Sequence, residues 1–477
     1  MRAPCPVTSI CVTSAPERLA TEPTPSPQHT PSPEQTVPAA PKGRRLAWLD
    51  AMRGFAALCV VFDHMGDIVL QRVHAGVYTV IDTGQYGVFV FFLVSGYIIP
   101  ASLERKGSVR GFWVSRVFRL YPLYILALAL SILAYKTGFG AIHGAQNSPK
   151  NWAYALPFMM SNLLNGANVP NVIWTLSFEM VFYLLLTALF TFRVHRYSGG
   201  YALAAVIGAL ALGGILPISG LNSLHLLGHW TSERRIAILA DFGIFIGLAL
   251  AVTGRTRLRA IGVLIAAATG MTLLLFNTSY PSPGTGLVIL ALMFTGTLLY
   301  RAEQGQLPWK KALAVAGTVL VLAIAAGLWH GPGWIPRDYT QWRIEWVSSL
   351  VLAGATFAIG MALRHKRVPG WLAWLGLVSY SVYLLHPIVL NAYYSVDAFA
   401  QPHPFPIQVL LAAGILAMVL GLSALSYYFI ESPMQKYGHR LARVLQARFG
   451  PDTIPPTLNT APDAAPTAAA AETASSH

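Results

Sequence analysis

Apolar positions along this chain fall into long blocks, not into the strict alternation of half-buried strands. Twelve blocks are read, at residues 48–70, 84–102, 120–135, 173–192, 201–218, 236–252, 260–276, 286–300, 312–329, 344–363, 371–392 and 407–430. A helix of about twenty apolar residues crosses a bilayer. The eighth block is short, and Gly or Pro interrupts the second and third. The pattern therefore predicts an all-α polytopic membrane protein with about 10–12 transmembrane helices. No repeat of fixed period is present. Polar ends flank the blocks: residues 1–45 hold Pro, Thr and Ser without an apolar core, and residues 433–477 are basic and then Ala/Pro-rich. Residues 1–45 and the Ala/Pro/Thr-rich end from about Gly450 bury too little apolar surface to fold alone and read as disordered, with no signal peptide at the start. The domain expected between the polar ends covers 46–432.

Composition agrees with a membrane solvent. Hydrophobic residues make up 55% of the chain and charged ones 11%, with mean hydropathy +0.53. A soluble domain is about one quarter charged. Cys5, Cys11 and Cys59 form no disulfide framework, since two lie in the polar tail and one in an apolar block.

Charge orients the blocks. With the amino terminus in the cytoplasm, the segments on that side carry 23 of the 33 Lys and Arg residues, the opposite side carries 7, and Arg53, Arg2 and Arg18 complete the count. The excess recurs in every cytoplasmic loop, which implies an even number of spans and both termini inside. The net charge of +14 follows mainly from this asymmetry, and no soluble basic face remains for nucleic acid.

Ionisable residues within the blocks are costly there and so point to function. His64 follows Arg53 by eleven residues. That is three helical turns plus roughly 20°, placing both on one face about 16 Å apart. The inferred orientation sets Arg53 and Asp50 near the cytoplasmic boundary and His64 in the outer half. Glu179 lies about 9 Å below the outer end of its inward-running span, and His386 is also in the outer half. Three such groups at one level suggest a polar cavity opening outward. Each has a plainer reading: His64 bonding a neighbouring helix, Glu179 as a buried pair partner, His386 satisfying the carbonyl freed by Pro387. Asp63 and Asp67 read as rim residues, Asp241 as cavity-lining or interfacial. In the basic segment 105–119, Arg116 and Arg119 are spaced to share a helix face and, with Arg53, to hold phosphate oxygens, although the positive-inside rule alone also explains them. Tyr121-Pro122 is read as the start of the third span.

The segments L-D-A-M-R-G-F-A-A-L-C-V-V-F-D-H (49–64), G-Q-Y-G-V-F-V-F-F-L-V-S-G-Y-I-I (84–99), R-V-F-R-L-Y-P-L-Y (116–124), W-T-L-S-F-E-M-V-F-Y (174–183), S-Y-S-V-Y-L-L-H-P (379–387) and Y-Y-F-I-E-S-P (427–433) resemble the acyltransferase 3 family of bacterial integral-membrane O-acyltransferases. The resemblance runs over residues 46–436. It implies a multi-pass protein of the bacterial cytoplasmic membrane that moves an acyl group, often acetyl, from acyl-CoA to a hydroxyl of a carbohydrate, envelope glycan or glycosylated metabolite. It implies no bound cofactor and no metal, acyl-CoA being a co-substrate. The family's pattern maps catalysis onto His64 and Glu179 and donor phosphates onto Arg53, Arg116 and Arg119. His64 would take the acceptor proton, with Glu179 orienting its ring or binding acceptor hydroxyls, and an acyl group could rest on His64 or Ser95. Asp50, Tyr97, Trp174 and His386 are the candidate acceptor-binding side chains, and residues 137–172 a candidate lid. A proton-coupled transporter of a small solute or glycan would also carry intramembrane His and Glu; the paired halves with broken helices expected of it are not visible.

Overall fold

The computed structural model describes residues 47–139, 163, 170–216, 233–276, 281–331, 338–397, 403–450, 452 and 454. The tail at 1–45, most of the lid at 137–172 and, apart from 452 and 454, the Ala/Pro-rich end beyond residue 450 lie outside them. Fourteen α-helices fill the described residues, and no strand occurs among these. They are α1 (Ala47–Ile68), α2 (Gln71–Tyr78), α3 (Thr83–Lys106), α4 (Val109–Lys136), α5 (Trp174–Thr191), α6 (Ser198–Leu212) and α7 (Glu233–Ala251). There follow α8 (Thr256–Leu275), α9 (Pro283–Glu303), α10 (Trp309–His330), α11 (Tyr339–Ala362), α12 (Gly370–Asp397), α13 (Phe405–Ser426) and α14 (Ser432–Phe449).

Every expected span coincides with a helix, and nine stretches among the described residues are long and apolar enough to cross a membrane. The three expected spans that miss this standard do so for different reasons. Helix α1 carries Asp50, Arg53, Asp63 and Asp67 along its length, α6 has 15 residues, and the apolar part of α7 runs only over Ile238–Ala251. Large apolar side chains on the outer helices stay uncovered, as at Leu410 (72% exposed) and Val321 (64%), which suits contact with lipid tails. The protein is an all-α, multi-pass membrane protein.

The third span begins earlier than the sequence suggests. Helix α4 starts at Val109, so Pro122 lies inside the helix and not at its first turn. Ser108 caps it, accepting from the Gly111 N–H at 2.8 Å, and Phe112 and Trp113 are buried. The arginines that make 105–119 look like a loop leave this apolar face intact. Asp452 accepts from the Arg110 backbone N–H at 2.8 Å and from the Ser108 hydroxyl. The Ile454 N–H donates to the Gly107 carbonyl at 2.8 Å, so Asp452 and Ile454, beyond α14, are held against the α3–α4 turn. Helices α13 and α14 join through a π-helical turn, Tyr427–Glu431, which swings Glu431 inward to 2% exposure.

Helices in lipid associate through close packing, and glycine permits the closest approach. Helix α3 sits between α1, α9 and α11, and α1 lies between α3 and α12. A Cβ on Gly376 of α12 would fall 1.9 Å from the Asp50 carbonyl oxygen, and one on Gly96 of α3 would fall 1.9 Å from that of Met293 in α9. The first contact determines a register. Moving fourteen residues along α1 from Asp50 and ten along α12 from Gly376 reaches His64 and His386. Val61, Met65, Val378 and Val382 pack this interface on the way.

Candidate active site

His64 and His386 meet across α1 and α12, with 3.3 Å between His64 Nδ1 and His386 Nε2. His386 is fully buried, and its Nδ1 lies 3.0 Å from the carbonyl oxygen of Val382, one turn earlier in α12. A carbonyl only accepts, so His386 Nδ1 carries hydrogen and its Nε2 keeps a lone pair. Nε2 then accepts from His64 Nδ1–H, and the lone pair of His64 falls on its Nε2. His64 is half-buried, the more open member of the pair. This is the geometry of a base whose tautomer is held by a second group.

Glu179 is not the partner of His64. It accepts from the Tyr183 hydroxyl at 2.6 Å and lies 3.5 Å from the Ser95 hydroxyl. Its charge faces Arg53 and Arg116. The guanidinium of Arg116, 5% exposed, stands 5.0 Å from the Phe112 ring centre and 5.1 Å from that of Tyr183, with Nε unpartnered. Arg53 stacks over Phe91 at 5.6 Å. Arg119 lies within electrostatic reach of both arginines and of Glu431, which accepts from Ser381. The structure thus brings Arg53, Arg116 and Arg119 together with Glu179 and Glu431. Buried charges persist where they are balanced in this way.

From Arg53 towards the histidine pair lies a small cavity of about 20 Å³, bounded by Arg53, Val60, Phe91, Thr175 and Tyr383 among others and lined by neither histidine. Val60 is one turn from His64 on α1, so the cavity follows the face that joins Arg53 to His64. Its walls are largely apolar, unlike the polar cavity that the sequence suggests, and it has room for roughly one water. Thr175 donates to the Tyr383 hydroxyl at 2.9 Å, tying α5 to α12 along this wall.

The remaining candidates are placed apart from the pair. Tyr97 is 1% exposed among the rings of Trp48, Tyr300 and Phe357 and contacts neither histidine. Trp174 packs edge-on against Phe178. Asp50 lies within electrostatic reach of Arg53. Asp63 lies 3.3 Å from His74 Nε2 and accepts from Thr83 at 3.1 Å; Asp67, on the exposed side, lies 3.0 Å from His74 Nδ1. Asp241 is on α7, which packs on α8. Glu431 and Tyr183 are the neighbours that sequence reasoning missed. The insertion cost that flags Glu179 applies equally to Glu431, which ends an apolar block.

Residues 46–428 match the acyltransferase domain of the acyltransferase 3 family. Among curated proteins, acyltransferase MdmB of Streptomyces mycarofaciens is 28% identical over 156 residues, 30% of this chain and 39% of that protein. Nodulation protein 10 of Rhizobium leguminosarum bv. viciae is 28% identical over 183 residues, 34% and 48% of the respective chains. The O-acetyltransferase OatA of Staphylococcus aureus is 27% identical over 176 residues, 32% of this chain and 26% of that one. The chain therefore spans less than half the length of each of these relatives. No solved structure matches it.

Proposed function

Because this chain belongs to the acyltransferase 3 family, we propose that it moves an acyl group, acetyl first, from acyl-CoA to a hydroxyl of a carbohydrate, envelope glycan or glycosylated metabolite. The observation that carries this reading is His64, half-open and hydrogen-bonded through Nδ1 to the buried His386. A hydroxyl is a weak nucleophile and needs a base; neutral imidazole is suited to that task near neutral pH. His64 Nε2 takes the acceptor's proton as the hydroxyl oxygen attacks the thioester carbonyl. The carbon–sulfur bond breaks, and the thiolate of CoA leaves and recovers the proton from His64. The naming of OatA as an O-acetyltransferase favours oxygen as the acceptor atom.

Arg53, Arg116 and Arg119 bind the donor's phosphates in this proposal, with Glu179 and Glu431 as their counter-charges. His386, and not Glu179, orients the base. About 16 Å from Arg53 to His64 approximates an extended pantetheine arm. The cavity leading from Arg53, about 20 Å³, is too narrow for that arm, so α1 parts from α5 or α12 for the donor to be delivered. Asp50 and Trp174 act at the margins of this path. The transferase domain covers 46–432, its tails at 1–45 and 433–477 lie in the cytoplasm with the arginine cluster on that side, and the membrane is the bacterial cytoplasmic one.

Proteoliposomes given radiolabelled acetyl-CoA and cell-envelope glycans test the proposal. Label is expected in the glycan, with the rate falling about 10²- to 10⁴-fold in His64→Ala. Wild-type transfer by that variant overturns the base assignment, and solute flux without covalent label overturns the transferase in favour of a transporter.

A further inference from the structure

A second cavity, of about 830 Å³, opens where the ends of α3, α5 and α9 meet the starts of α6 and α10. Arg105, Lys106, Arg193, Arg196, Arg301 and Lys311 line it. One carboxylate faces them: Glu104 binds Arg301 at 2.6 Å, and Arg301 also donates to Gln306 at 2.6 Å. The other five cations have no carboxylate partner among the described residues. The positive-inside rule accounts for basic loops but not for unpaired cations converging on one concave space.

Arg193 adds a backbone observation. Helix α5 ends in a Schellman turn, with the Val194 N–H bonded to Leu189 at 2.9 Å and the Arg193 N–H to Phe190 at 3.0 Å. The turn holds Arg193 at φ 61°, and it is the one non-glycine residue with positive φ among the described residues. Glycine is the usual occupant of that position, and a strained side chain there is a mark of function. Here the strained residue is an arginine in the wall of the cavity. Phe190, Leu298 and the 64%-exposed Tyr197 supply apolar wall. Inside, the half-buried His195 has its inaccessible Nδ1 unpartnered, and so has the buried Arg301 its Nε.

We propose that this cavity binds a ligand bearing two or more phosphates, as a site separate from the Arg53 cluster. Guanidinium forks match phosphate oxygens bidentately, and a surplus of five positive charges suits a multiply charged anion better than a single carboxylate. The volume fits a nucleotide-sized molecule, and Tyr197 is placed at the rim to stack a ring. Paired phosphates of this kind come either from a soluble nucleotide or from an anionic lipid whose headgroup carries two.

The test measures binding alone, so it stands whether or not the chain transfers acyl groups. A fluorescent ADP analogue, competed by ADP, is titrated onto the full chain in neutral detergent. Cardiolipin, whose headgroup carries two phosphates, retained from cardiolipin/phosphatidylcholine vesicles is counted by native mass spectrometry. Arg193→Gly is the informative variant, because it relieves the left-handed turn while removing the charge. It is expected to keep or raise the melting temperature yet weaken binding about tenfold, and Lys311→Gln to weaken it as well. Loss of ADP binding assigns a soluble ligand; loss of retained cardiolipin alone assigns a lipid headgroup. Arg193→Gly that binds both probes as wild type does, or a wild-type protein that binds neither, overturns the proposal.

Discussion

His386 distinguishes two roles that a lone intramembrane histidine can play. One ring nitrogen faces the Val382 carbonyl, as a structural histidine's would, and the other faces His64. If it holds the tautomer of the base, His386→Ala should lower kcat by about 10²-fold or more while moving KM little. Steady-state kinetics in detergent decide this; a change confined to KM assigns His386 to acceptor binding instead. Among the titratable groups outside the membrane-spanning segments, His195 carries the clearest signature. Burial, Arg301 and Arg196 lower its pKa to about 4. Glu104, 3.6 Å away, does not offset this, being taken up by Arg301 at 2.6 Å. The unfolded chain then binds this proton near pH 6.5 and the folded chain only near 4. This residue's contribution to stability is thus lost as pH falls from about 6.5 towards 4. Thermal unfolding across that window should show a steeper decline for wild type than for His195→Gln. Arg53, His64 and Glu179 are visible in the sequence because charge in an apolar block is conspicuous. Which of them touch is not, because the partner of each lies on another helix.

Helix contacts hold this site in place. The Gly54–Gly376 approach lets α1 and α12 run side by side to the histidine pair, and the Gly96–Gly296 approach locks α3 onto α9 behind it. Gly96→Val adds bulk where even a Cβ falls 1.9 Å from the Met293 carbonyl oxygen. Overpacking of this kind costs about 1–3 kcal/mol or more, so its melting temperature in detergent should drop clearly. Gly317, with open space around it, should tolerate valine with little change. The existence of twelve helices was legible as apolar blocks, whereas α2 and the basic α14 correspond to no block, being too polar to stand out by apolar length. The start of α4 was not, because Arg110, Arg116 and Arg119 resemble a loop until Phe112 and Trp113 are found buried beneath them. Likewise the π-helical turn that aims Glu431 at Ser381 depends on tertiary contacts and leaves no period in the sequence.

At the scale of the molecule, the helix ends rich in Lys and Arg gather around the 830 Å³ cavity and beside the Arg53 cluster. If loop charge sets the orientation, reporters fused at both termini should report the cytoplasm, and an extracytoplasmic signal at either end would overturn the even count of spans. Composition and apolar block length determined the all-α membrane class and located twelve of the helices among the described residues, since a chain with 11% charged residues cannot satisfy water over so much apolar surface. Local spacing determined that Arg53 and His64 share a face, because the helical period is a property of one segment. Tertiary structure alone decided that His64 meets His386 and not Glu179, that Glu179 joins the arginines, and that the path between is narrow. Those outcomes depend on how far one helix slides and turns against another. Glycine contacts such as Gly376 against Asp50 set that register, and residues so far apart in the chain carry no local trace of it.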